Sequence, residues 1–218
     1  MELSELKDEQ YALFQRKLIP SVAPERILGI RTPDLRQAAK EMAGTAEAED
    51  FLKELPHGFF EQDQIHAFLI ARMKDPAEAL REIEIFLPFV DNWATCDQMN
   101  PKCLAKDKKL LISYIKKWIR SKHPYTVRFG IKMLMDHFLT EDYDPAFPGI
   151  VAGISFDHYY VKMMQAWYFA TLAAKRPEDI GYIRELEPEI RKKAIQKAIE
   201  SYRVSDEDKA ILRKWRKG

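Results

Sequence analysis

Lys109-Leu110-Leu111-Ile112-Ser113-Tyr114-Ile115-Lys116-Lys117-Trp118-Ile119 decides the fold class. The pairs Leu110/Leu111, Tyr114/Ile115 and Trp118/Ile119 recur at three- and four-residue steps, with Lys109, Lys116 and Lys117 on other faces. That is the period of an amphipathic helix. The pattern extends outward: Val127, Ile131, Leu134/Met135 and Phe138 repeat it, as do Val161, Met164, Trp167/Tyr168 and Leu172. No segment shows sustained period-two alternation between turn signals, so no sheet is expected. Glycine, which strands and tight turns consume, numbers only 8 in 218 residues, about half the usual ~7%. Pro33, Pro76, Pro101, Pro124, Pro145 and Pro177 each stand where a first helical turn would accept them.

The spacing predicts helices over 4–18, 33–43, 46–54, 59–74, 76–88, 91–104, 107–121, 124–138, 142–153, 157–175, 177–185, 187–201 and 205–216. Short connections make consecutive helices hairpins, and pairs of them form units of roughly 35–40 residues, the length of HEAT-like repeats. The expectation is therefore an all-α protein, a HEAT-like α-solenoid of about six stacked antiparallel helix pairs. It would form a single domain over residues 1–218. Self-similarity between units is weak, which leaves an irregular bundle as the alternative.

Several classes are disfavoured at once. Cys96 and Cys103 have no CxxC or His-rich partner, and His66, His123, His137 and His158 show no ligand spacing, so no metal site is expected. No run approaches the ~18 apolar residues of a membrane span, and the acidic start lacks a signal-peptide pattern. The expected compartment is the reducing cytoplasm. Glycine-rich phosphate loops and nucleophile elbows are missing too.

Net charge is +1, but it is unevenly spread. Residues 1–100 hold 11 Lys/Arg against 19 Asp/Glu, whereas 101–218 hold 24 against 15. Within 102–128, Lys102, Lys106, Lys108, Lys109, Lys116, Lys117, Arg120, Lys122 and Arg128 face one acid, Asp107. The asymmetry suggests an anionic partner met by the C-terminal half; an ordinary solvated helix face reads equally well. Lys209, Arg213, Lys214, Arg216 and Lys217 read as a frayed basic tail.

Phe89-Val90-Asp91-Asn92-Trp93-Ala94-Thr95-Cys96-Asp97 carries the clearest candidate chemistry. On a helix Trp93 and Asp97 share one face; the plainer reading makes Trp93 core and Asp97 a cap. Arg128 lies 35 residues after Trp93, and Trp167 lies 39 after Arg128. Those steps match the repeat length, so the four side chains would project onto one face of a solenoid.

The stretches Leu28-Gly29-Ile30-Arg31-Thr32-Pro33-Asp34-Leu35-Arg36, Asn92-Trp93 through Asp97, Val127-Arg128-Phe129-Gly130-Ile131, and Val161-Lys162 through Ala166-Trp167 occur in an order and spacing that resemble the DNA alkylation repair family of AlkD type. The likeness spans roughly residues 5–200. It implies a monofunctional glycosylase that hydrolyses the N-glycosidic bond of N3- or N7-alkylated purines in double-stranded DNA. The implied roles are a carboxylate at Asp97 beneath the oxocarbenium-like sugar, aromatics at Trp93 and Trp167 positioning it, and a phosphate contact at Arg128. Arg31, Lys102, Lys106 and Lys162 are expected to touch DNA. No cofactor and no partner subunit are expected. Pro20 and Ala170 depart from the family pattern, where a groove aromatic and a basic residue are usual. Two other readings remain open: a DNA-binding solenoid without catalysis, and a protein-interaction scaffold.

Overall fold

The structure is a computed structural model that describes residues 3–216, and every regular element among them is helical. The chain divides into two compact units, Met1–Leu111 and Ile112–Gly218. The first holds α1 (Glu9–Leu18), α2 (Thr32–Met42), α3 (Ala46–Lys53), α4 (Phe60–Ala71), α5 (Pro76–Phe86) and α6 (Trp93–Gln98). Helix α7 (Lys108–Trp118) runs across the boundary. The second holds α8 (Pro124–His137), α9 (Ala146–Ala152), α10 (Tyr159–Lys175), α11 (Pro188–Glu200) and α12 (Asp206–Trp215). Short 3₁₀ turns at Leu3–Leu6, Pro24–Arg26, Leu87–Phe89, Lys102–Lys106 and Pro177–Glu185 join them. No described helix is long and apolar enough to cross a membrane.

Within the first unit α2 packs on α4 and α4 on α6, each contact skipping the helix between. In the second unit α10 packs on α8 in the same way, and on α11. Packing between alternate helices is what stacked helix pairs produce, because the corresponding helix of each pair forms a layer. The all-α expectation therefore holds.

The differences from the expected helices have local causes. The segment 4–18 is broken because the Asp8 carboxylate accepts the Tyr11 N–H and starts α1 afresh. The segment 91–104 is cut at Gln98. Pro101 has no N–H to donate and disfavours helix at the residue before it. Residues 177–185 form 3₁₀ turns, and α9 starts only after Pro145. The C-terminal basic segment is not frayed through residue 216: Ser205 caps α12 and Leu212 is fully buried. Lys217 lies outside the described residues.

Helix α4 is buried almost all round and carries four polar side chains inside: Glu61, Asp63, Gln64 and His66. Each ties down another segment. Glu61 accepts the backbone N–H groups of Leu28 at 3.1 Å, Gly29 at 2.8 Å and Ile30 at 3.3 Å. Arg26 bridges Asp63 at 2.9 Å and Asp91 at 2.5 Å, while burial pushes the Asp63 carboxyl up to about 7 against the pull of that guanidinium. Gln64 donates to the Thr95 hydroxyl at 2.7 Å. His66 Nδ1 meets His57 Nε2 at 2.9 Å.

Two glycines are dictated by contact. Gly29 has φ +81°, and a Cβ there would stand 2.1 Å from the Asp8 carbonyl oxygen. A Cβ on Gly130 would lie 2.9 Å from Ile119 Cγ2 and 3.1 Å from Trp118 Cβ, where the end of α7 presses on α8.

Candidate active site

Asn92 starts α6 and orients everything on it. Its Oδ1 accepts the Thr95 N–H at 2.8 Å, while its Nδ2 donates to Thr95 Oγ1 at 3.1 Å and Asp91 Oδ1 at 2.9 Å. This is an N-cap with its side chain wholly buried. Thr95, Cys96 and Met99 then face inward with no exposed surface. At helical spacing that leaves Trp93 and Asp97, four residues apart, on the partly exposed side.

The Trp93 ring is fixed. Its Nε1–H donates to the carbonyl of Leu18 at 3.0 Å, one of the oxygens a helix leaves unsatisfied at its C-terminus. One edge packs on the cluster of Ala12, Ile19, Val22, Ile27 and Phe60. Trp93 is thus a partly buried anchor that still shows some surface to solvent.

Asp97 lines a cleft of about 660 Å³. Around it stand five cations from three segments: Arg36 on α2, Arg72 and Lys74 after α4, and Lys102 and Lys106 on the 3₁₀ turn. It is the one carboxylate among the lining residues. Phe68 forms part of the wall, and the Arg36 guanidinium lies 4.2 Å from its ring centroid while bonding Gln98 Oε1. Lys106 Nζ donates to the carbonyl of Lys74 at 3.1 Å. Lys102 and Lys106 thus line the same cleft as Asp97. Arg31 is not part of the lining; it pairs with Asp8 at 2.8 Å and covers the Tyr11 ring.

Arg36, Arg72 and Lys74 were missed by the sequence reading. They lie in the acidic first hundred residues, where the average charge conceals a local cluster. Arg36 closes the stretch that begins at Leu28, and that was the only signal.

The remaining predicted residues belong to the second unit. Arg128 is 5% exposed on α8, and its Nη1 donates to the carbonyl of Tyr160 at 2.8 Å. It stands beside an aromatic group in which the Tyr125, His158 and Tyr160 rings lie 5.7–6.1 Å apart. Lys162 is held charged by two carboxylates, Glu189 at 2.9 Å and Asp157 at 3.0 Å. Trp167 is 40% exposed and lines a cleft of about 290 Å³ with Ala170, Thr171, Ala174, Lys197, Glu200, Ser201 and Arg203. Neither Arg128 nor Lys162 lines that cleft.

A sequence model of the family described as DNA alkylation repair enzyme matches residues 1–202. The chain belongs to that family. No curated protein matches it closely enough to add a named relative. Membership in a DNA alkylation repair family points to DNA as the partner.

Proposed function

We propose that this protein is a monofunctional DNA glycosylase of AlkD type, acting on purines that alkylation at N3 or N7 has made cationic. The observation that carries the reading is Asp97, a lone carboxylate in a cleft otherwise lined by arginine, lysine and neutral residues.

The cations and the carboxylate have separate work. Arg72, Lys74, Lys102 and Lys106 attract the phosphodiester backbone without reading sequence. Asp97 is repelled by phosphate and favoured by positive charge, so it suits the one part of the substrate that becomes cationic. When the N-glycosidic bond breaks, its electron pair neutralises the alkylated base, which leaves without protonation. Positive charge moves to the deoxyribose, where Asp97 stabilises it and orients a water. The water oxygen bonds C1′ and its proton passes to solvent. Trp93, its indole tethered to Leu18, offers a fixed flat face to the sugar.

In the second unit Trp167 is the exposed aromatic expected to hold the strand. Arg128 is a positioning residue in this reading, because its guanidinium bonds the Tyr160 carbonyl. No lysine is marked by its spacing in the sequence as a Schiff-base nucleophile, so no strand cleavage is expected.

The test is base release from duplex DNA carrying 7-methylguanine or 3-methyladenine, comparing the protein with its Asp97→Asn variant. Release slowed about 10²–10³-fold in the variant, with duplex binding retained, supports the reading. Duplex binding without release from either protein would replace it with a non-catalytic DNA-binding function.

A further inference from the structure

The family match ends at Tyr202, yet the fold continues in order to residue 216. Beyond α11 the chain turns through Ser201–Ser205 into α12. The turn is pinned from both sides: Val204 is 4% exposed and Leu212 fully buried, and Ser205 caps α12 through the Asp208 N–H at 3.1 Å. Between these anchors Tyr202 is completely exposed. A tyrosine with no apolar surface covered, on an anchored turn, gains nothing for folding.

Its neighbours supply a context. Ser201 and Arg203, on either side of Tyr202, both line the Trp167 cleft, and Lys197 enters it from α11. Trp167, Ala170, Thr171 and Ala174 lie on one face of α10, so small side chains leave the Trp167 ring uncovered. Glu200 is the single acid in the lining, and Gln196 donates to its carboxylate. The place thus offers two aromatic faces, two cations and a cleft volume of about 290 Å³.

We propose that the Trp167 cleft and the Tyr202–Arg203 turn form a binding site for single-stranded DNA. Lys197 and Arg203 contact successive phosphates, and Trp167 and Tyr202 stack on unpaired bases. Stacking platforms flanked by cations bind single strands with little sequence preference, because every base has a π-face. The inference rests on the reading that the ligand is DNA, but not on base release. It gives the segment beyond the family match a role: it adds Arg203 to a cleft whose floor, at Ala170, carries no cation of its own.

The experiment measures binding of an undamaged single-stranded oligonucleotide and the matching duplex across a salt series. It compares the full chain with Lys197→Ala/Arg203→Ala and with Tyr202→Ala. All three side chains lie at the surface or partly exposed, and circular dichroism checks that the fold is intact. The double variant is expected to lower the slope of log K against log salt for the single strand by about 1.4, from ~0.7 per phosphate contact. Tyr202→Ala is expected to weaken single-strand binding about tenfold, leaving base release from duplex unchanged. Single-strand binding that neither variant alters, or duplex binding with none to the single strand, would overturn the site while leaving the glycosylase reading standing. Binding to neither form at low salt would overturn both.

Discussion

Glu61 Oε1 lies 2.8 Å from the backbone nitrogen of Gly29, and the same carboxylate takes the N–H groups on either side. A buried anion is tolerated here because three oriented donors replace the water it gave up. Glu61→Ala is expected to cost about 3 kcal/mol or more, since it strands those donors. Gly29→Ala should cost more than about 2 kcal/mol, from its positive φ and from the collision with the Asp8 carbonyl. Chemical denaturation of both variants checks this; a loss under 1 kcal/mol in either would show that the loop is held some other way.

The cations of the Asp97 cleft should act as charges alone. Arg72→Gln and Lys102→Gln are each expected to lower the salt slope of duplex binding by about 1. Base release at saturating DNA should hardly change. If instead release falls at saturation while the slope stays put, these residues touch the reacting sugar rather than the backbone.

Trp93→Phe separates the ring from its tether. The variant keeps an aromatic face and loses the bond to the Leu18 carbonyl. It should cost about 0.5–1.5 kcal/mol of stability and slow base release more than it weakens DNA binding. Equal release rates for both proteins would mean that the indole N–H has only a structural role.

The buried imidazoles predict acid sensitivity. Burial pulls His57 down to about 4 and His66 to about 3, and each ring stacks on a phenylalanine, Phe51 or Phe86. Both are neutral in the folded chain and titrate near 6.5 when unfolded. Their stabilising contribution is therefore complete above pH 6.5 and is lost as pH falls toward 4, by up to ~1.4 kcal/mol per pH unit for each ring. The pair variant His57→Phe/His66→Leu should lose less stability than the parent between pH 6.5 and 4. The comparison is the difference between the two curves, because the raised Asp63 carboxyl adds the same opposite slope to both. Parallel curves for variant and parent would contradict the assignment.

Much of this molecule was readable before its structure. Apolar spacing in 109–119 and 127–138 marked true helices, and Trp93 and Asp97, four apart, do fall on one partly exposed side of α6, whereas the Asn92 cap that starts it was not read. Gly29 and Gly130, inside the family-like stretches, turn out to stand where backbone or side chain approaches too closely for a Cβ. What could not be read was partnership. Lys162 and Arg128 look like available cations in a linear sequence, but each is engaged by groups 27 and 32 residues away. Arg36, Arg72 and Lys74 vanish into an acidic average because their convergence on Asp97 depends on how α2, α4 and α6 stack. Helix ends failed where a single residue, Asp8 or Pro101, overrode a continuing apolar pattern.

The polar side chains of α4 bear on which party yields when DNA arrives. Through Glu61 the helix grips the loop leading to Arg36, through Gln64 it grips the start of the Asp97 helix, and through Asp63 and Arg26 it grips the residue before Asn92. Both walls of the cleft are bolted to one bar, so their spacing has little elasticity. On the proposed reading the mismatch in shape falls to the duplex, whose bending energy depends on sequence even where no base is touched. Lesions flanked by soft pyrimidine–purine steps would then be processed faster than the same lesions in stiff A-tracts, a context preference imposed by mechanics rather than by recognition.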